Sequence, residues 1–235
     1  MVPQRNSEII SYYNEWWDNP KDIRNVIFDR LYNHLESRLP DGHGKTALDI
    51  GLGRGKISAL LLSKGYKVTS IDINKSFCDE FRKKYHNKVI CADATKMDLA
   101  KLGTFDVVTC IELIPIIDPK DIPRLLIQIF YITKGRFYTN ISNMDSLHGM
   151  WIKFKGYKND FIHMDNVNSF RTLLRLIEFK TVYETGFGFI TPISAFKGFK
   201  GKLIPIWFAK MAEPLDDVFK GYCHLYYFEC EPWKI

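Results

Sequence analysis

The 235-residue chain has few cysteines, and none of Cys78, Cys91, Cys110, Cys223 and Cys230 belongs to a CxxC pair. An odd number without paired spacing supplies neither a disulfide framework nor a zinc ribbon, so no metal site is expected, and a reducing compartment fits best. Long apolar runs are missing as well. No stretch approaches the ~20 apolar residues that a membrane-spanning helix needs, and the start, MVPQRNSEIISYY, has no apolar signal core. The expected location is the cytoplasm. Internal repeats and low-complexity tracts are also absent. The net charge of +6 is not gathered into a basic stripe but spread among acids, which disfavours nucleic acid as a partner.

What is present is an ordinary globular composition, 46% apolar and 26% charged, long enough for a single domain with a substantial core. Ile23, Ile27, Leu31, Leu35 and Leu39 recur every four residues and predict a helix over 22–39. Pro40, Gly42 and Gly44 end it. Beyond them, strand and helix patterns alternate: strands over 46–50, 67–72, 89–92, 105–111 and 136–141, and helices over 55–64, 75–85, 119–131 and 166–177. Such alternation implies a parallel sheet with helices on both faces and a ligand beyond the carboxyl ends of the strands. Two late strands, 179–187 and 222–231, have no obvious crossover helix between them and predict an antiparallel hairpin. The expected fold is therefore α/β and Rossmann-like: a mostly parallel seven-stranded sheet whose last strand is antiparallel.

The stretch Leu48-Asp49-Ile50-Gly51-Leu52-Gly53-Arg54-Gly55 places three glycines at alternate positions between a strand and a helix. Glycine permits positive φ and close approach of the backbone to a ligand, and the following helix offers free N–H groups. The bland alternative is a tight strand-to-helix turn. Asp72 at the end of the second strand favours the functional reading, because a carboxylate there can accept both hydroxyls of a ribose. The nicotinamide fingerprint G-x-G-x-x-G would need its third glycine at Lys56. An acid just before the loop, Asp49, also suits a cationic amino-acid group better than a pyrophosphate, which it repels.

At these residues the chain resembles the class I S-adenosylmethionine-dependent methyltransferases, whose first motif is an acid followed by G-x-G-x-G. The resemblance covers about 41–141 and includes Asp72, Cys91-Ala92-Asp93-Ala94 and Phe105 to Leu113 in order. It implies S-adenosylmethionine as cofactor, with Gly51, Gly53 and Gly55 along its amino-acid and ribose portion and Asp72 on the ribose. Asp93 would receive the adenine amino group, Ala94 and Ile73 would flank the ring, and Ile111 within 110–113 would pass beside the sulfonium. Asp106 reads as structural. Many members carry a histidine shortly after the position of Glu112; here the chain reads Leu113-Ile114-Pro115-Ile116-Ile117.

The ends of the chain are less specific. Tyr13, in the aromatic run 12–17, is a candidate for the sulfonium region through cation–π attraction, or simply a packed helix residue. Among Asn143, Asp145, His148, Trp151 and His163, His148 is the candidate general base for a hydroxyl acceptor. The basic and aromatic segment 190–219 suits either an acceptor lid with affinity for lipid or a structural cover. The chain is thus read as one domain, 1–235, with a helical cap (1–40), a cofactor-binding core (41–189), an acceptor-side insertion (190–220) and a last strand (221–235). The expected activity is methyl transfer to O or N of a small molecule, sugar or lipid-linked glycan, at or near a membrane in the last case. RNA methylation, a nicotinamide-dependent oxidoreductase and a non-catalytic scaffold are the alternatives.

Overall fold

The computed structural model describes residues 24–155, 163–190, 207 and 211–233. A helix, α1 (Arg24–Arg38), precedes β1 (Thr46–Ile50), α2 (Lys56–Ser63), β2 (Lys67–Asp72), α3 (Lys75–Tyr85), β3 (Lys88–Cys91) and β4 (Phe105–Cys110). Then come α4 (Ile122–Ile132), β5 (Thr133–Asn143), α5 (Leu147–Lys155), β6 (Met164–Asp165), α6 (Val167–Leu176), β7 (Phe179–Phe187), α7 (Pro214–Val218) and β8 (Leu225–Pro232). The sheet order is β3-β2-β1-β4-β5-β8-β7, with the two-residue β6 pairing beside β5. Strands β1 to β6 pair in parallel, whereas β8 runs antiparallel to both β5 and β7.

The seven main strands and the reversed last strand agree with the periodicity. Two features lie outside it. The strand β6 is too short to leave a pattern, and α5 forms where the sequence suggested only a loop of candidate side chains. The helix expected from 119 begins at Ile122, because a turn from Asp118 to Asp121 precedes it. Tyr13, the first residues of the predicted 22–39 helix, and most of the 190–219 segment lie outside the described residues.

Local chemistry explains the element ends. The Asn74 side chain accepts from Ser76 N–H to cap α3, and Asn166 does the same for Asn168 and Ser169 at α6. The strands alternate between two cores. Leu48, Val108, Phe137, Ile141 and Phe228 face α4 and α6, while Ala47, Val107, Tyr138 and Tyr227 face α1 and α2. Because the order reverses between β1 and β4, their adjoining carboxyl ends open a crevice on the α1 side.

A buried acid lies on β8, paired in register with Tyr138 of β5. Glu229 of β8 is 3% exposed, and Arg38 of α1 donates to its Oε2 from Nε at 2.9 Å and from Nη2 at 2.8 Å. Arg136 of β5 lies 3.3 Å from its other oxygen. Removing the charge leaves two guanidinium groups without their shared partner. Glu229→Gln is expected to cost about 1.5–3 kcal/mol, read as a lower urea midpoint with an unchanged slope.

Candidate functional site

The crevice is built from the ends of β1, β2 and β4. The three glycines of the β1 loop all have left-handed backbones, with φ of 91° at Gly51, 51° at Gly53 and 80° at Gly55, but they serve different purposes. A Cβ on Gly55 would lie 2.2 Å from the Phe81 ring, so this glycine lets α2 pack on α3. At Gly51 a Cβ would press on Leu113 at 3.2 Å, which seats the turn after β4 against the loop. At Gly53 a Cβ meets nothing within 4 Å. Its surroundings are open, which is the property expected of a ligand cradle.

The backbone of Gly53 is nevertheless anchored: its N–H donates to Asp72 Oδ2 at 2.8 Å. Asn74 N–H donates to Asp72 Oδ1 at 2.7 Å. Each oxygen keeps acceptor capacity toward the crevice. Burial raises the Asp72 carboxyl above the usual range, and the N–H groups of Asn74, Gly53 and Ile73 offset part of that rise. Asp93 behaves differently. Burial alone raises it, but hydrogen bonds from Thr95 and Lys96 outweigh burial and hold it below its ordinary value. Its Oδ1 accepts from Thr95 N–H at 3.0 Å and from the hydroxyl at 2.6 Å, leaving Oδ2, 3.3 Å from Lys96 Nζ, as the outward oxygen. Ala94 is buried and Ile73 half-buried beside it.

Asp49 lies under the loop, 1% exposed. Ser58 donates to its Oδ2 at 2.5 Å and Thr109 to its Oδ1 at 2.8 Å. Among the described residues no cation pairs with it, and burial pushes its pKa up to about 6. Asp106 is the structural acid the sequence suggested. It takes the Thr46 N–H at 2.8 Å and hydroxyl at 2.9 Å at the far end of β1.

Two residues of the crevice were not singled out from the sequence. Glu112, one residue past Ile111, has a φ of 60°, uncommon for a side chain of its length. Asn140 of β5 holds it at two points, accepting its N–H at 2.8 Å and donating to its carboxylate. Burial raises the Glu112 carboxyl to about 7. Tyr32 of α1 is buried nearby, and its hydroxyl is pushed well above the usual range first by burial and then by the charges of Glu112 and Asp49. Neither residue carried a pattern signal: Glu112 follows an apolar strand and Tyr32 sits within an ordinary helical stripe.

His148 projects from α5, and its ring meets His224 edge to face at 4.9 Å. Burial lowers its pKa to about 4, so the imidazole is neutral at pH 7 and holds a proton weakly. Asn143 and Asp145 are committed to local structure, Asn143 bonding the carbonyls of Gly221 and Cys223 and Asp145 accepting from Asn166. His163 pairs with Asp165 at 3.0 Å.

Known proteins are similar to this chain in fold and in part of its sequence. Residues 47–135 match the model of a methyltransferase domain. A ubiquinone biosynthesis O-methyltransferase of Pseudomonas paraeruginosa is 28% identical over 119 residues, 47% of this chain and 51% of that protein. The chain therefore spans about half the length of the curated relatives it matches. Among solved structures, a S-adenosylmethionine-dependent methyltransferase of Thermotoga maritima, described as a possible histamine N-methyltransferase, superposes with a TM-score of 0.67 at 16% identity, covering 97% of this chain and 98% of that one. Magnesium protoporphyrin IX methyltransferase of Synechocystis with bound S-adenosylhomocysteine gives 0.62 at 14% identity, covering 90% and 85%.

Two outcomes follow from the geometry. Gly53→Ala is expected to cost about 1–2 kcal/mol, from the left-handed backbone alone, whereas Gly55→Ala adds the collision with Phe81 and lowers the melting temperature further. Glu112 has a folded-state pKa above its unfolded one, so the folded state holds the extra proton between about 4.5 and 7. That contribution to stability is present below the unfolded value and is lost as pH rises through about 7. Melting curves of Glu112→Gln and the wild type from pH 5 to 8 should therefore diverge in favour of the variant as pH rises.

Proposed function

Because residues 47–135 match a methyltransferase domain, we propose that this chain is a class I S-adenosylmethionine-dependent methyltransferase that binds S-adenosylmethionine in the β1–β4 crevice and methylates an oxygen or nitrogen of a small molecule. The observation that carries the reading is the Gly53 N–H to Asp72 bond, which presents an open glycine backbone and an anchored carboxylate side by side. Those groups fit the cofactor. Gly53 leaves room for its amino-acid and ribose portion, Asp72 accepts the ribose hydroxyls, and Asp93 Oδ2 is available to the adenine amino group, with Ile73 and Ala94 beside the ring. Asp49 and the turn 110–113 lie toward the methionyl half. A nicotinamide dinucleotide fits less well, because Lys56 stands where its third glycine would be needed for close helix–strand packing.

When bound, the cofactor supplies a methyl group on a sulfonium, an excellent leaving group. What remains for the protein is alignment of the acceptor with that carbon, and such positioning supplies much of the acceleration. An acceptor hydroxyl needs a base as it attacks. His148, neutral at pH 7, is the proposed base on the acceptor side, and its low pKa makes it effective only for an acidic hydroxyl. Trp207 and Met211, before α7, and Phe219, at its end, are exposed and support an acceptor with an apolar or membrane-associated portion. No helix among the described residues is long and apolar enough to cross a membrane.

Calorimetry with S-adenosylhomocysteine tests the reading. Asp72→Ala is expected to weaken binding by about 1.5–3 kcal/mol, roughly ten- to a hundredfold, while Asp106→Ala leaves affinity near the wild-type value. Equal, negligible effects would remove the ribose assignment.

A further inference from the structure

Asp49, buried, and Glu112, half-buried, are acids on the α1 side of neighbouring strand ends, and among the described residues neither forms an ion pair. Their hydrogen bonds come from neutral donors: Ser58 and Thr109 for Asp49, Asn140 for Glu112. The ring of Tyr32 closes the same space from α1 and feels both charges. Desolvated acids beside an aromatic ring favour a cation far more than a neutral group of the same shape. On the α1 side Lys56 lies over Tyr32, 4.1 Å from the ring centre, and is itself paired with Asp29 at 2.7 Å. Beyond the turn after Glu112, His163, whose N–H donates to Pro115 O, is paired with Asp165. These ionisable groups are committed to one another and, among the described residues, leave Glu112 without a counter-ion.

Glu112 differs from Asp49 in being held rather than saturated. Asp49 takes a hydroxyl on each carboxylate oxygen and is tied into the sheet, whereas Asn140 grips the Glu112 backbone and one carboxylate oxygen, leaving the other without a hydrogen bond among the described residues. The left-handed backbone at Glu112 is maintained by that grip and turns the side chain out of the strand line. Its place one residue past β4, with Leu113 against Gly51, sets it at the edge of the crevice.

Building on the methyltransferase reading, we propose that Glu112 is a specificity-determining residue that distinguishes the sulfonium donor from its neutral thioether product by charge. In the free protein near neutral pH, Glu112 is divided between its acid and its carboxylate. A sulfonium in the crevice favours the carboxylate, so binding of S-adenosylmethionine expels the residual proton to solvent. S-adenosylhomocysteine lacks the positive sulfur and leaves the acid in place. After transfer, the site thus weakens its hold on the product, and the discrimination grows as pH rises. Tyr32 supplies the ring, and Asp49, whose pKa lies lower than that of Glu112, supplies a second acid around the same position.

The test needs no acceptor. Calorimetry of wild-type protein with each ligand, at pH 7 in two buffers of different ionisation enthalpy, counts the protons released. Release of about half a proton with S-adenosylmethionine and little with S-adenosylhomocysteine is expected. The affinity ratio of donor to product should rise severalfold between pH 6 and 8. In Glu112→Gln, which keeps a group able to accept from Asn140, the donor should bind about tenfold more weakly at pH 8, the product nearly unchanged, and the ratio should lose its pH dependence. Equal proton release for the two ligands, or a ratio that is flat with pH in the wild type, overturns the proposal without requiring any variant. Binding of neither ligand by wild-type protein overturns the methyltransferase reading itself, whereas binding of both with an unaltered Glu112→Gln profile overturns only the role of Glu112.

Discussion

The carboxylate of Asp49 is the knot on which the site depends. Ser58 reaches it from α2 and Thr109 from β4, and Ser58 is joined in turn to Ser70 of β2 at 2.7 Å. Four elements are tied at one buried point directly beneath the glycine loop. A buried acid satisfied only by hydroxyls is costly to keep ionised, and that cost appears as its raised pKa. The same fold without this knot would lose the fixed registration of β1, β2 and β4 from which Gly51, Asp72 and Glu112 project.

The sheet treats charge in two ways. At the start of β4, Asp106 is held by Thr46 and lies 3.5 Å from Lys134, and on β8 Glu229 is enclosed by Arg38 and Arg136. These acids have their partners and serve stability. At the carboxyl ends, Asp49, Asp72 and Glu112 are desolvated and receive only neutral donors, so all three are raised. Acids perturbed in this way, gathered at a switch point, are where a ligand site is sought in an open α/β sheet. A second clamp links the far elements: Asp216 accepts the N–H groups of Gly188 and Phe189 and pairs with Arg30 of α1 at 2.6 Å. It holds α1, and Tyr32 with it, against the last strands.

The legible part of the site was the part made by local rules. The alternating glycines announce a turn that needs left-handed backbone, and Asp72 stands where a strand ends. The structure then separates the three glycines, since only Gly53 opens toward free space while Gly55 makes way for Phe81, a residue 26 positions along that no local pattern connects to it. Asp93 was legible as an acid after β3, but its commitment to Thr95 and Lys96 was not. His148 illustrates the reverse: an imidazole is a plausible base in sequence, and burial against His224 makes it a weak one.

The sequence by itself determined the order of strands and helices, the reversed last strand and the glycine loop, because periodicity, capping and turn chemistry act within a few residues. Only the tertiary structure decided which acids are charged and which residues face the crevice. Glu112 depends on Asn140, 28 residues away, Asp49 on Thr109 at 60, and Arg38 on Glu229 at 191. Ionisation follows desolvation and through-space partners, and those exist only once the chain has brought distant residues together.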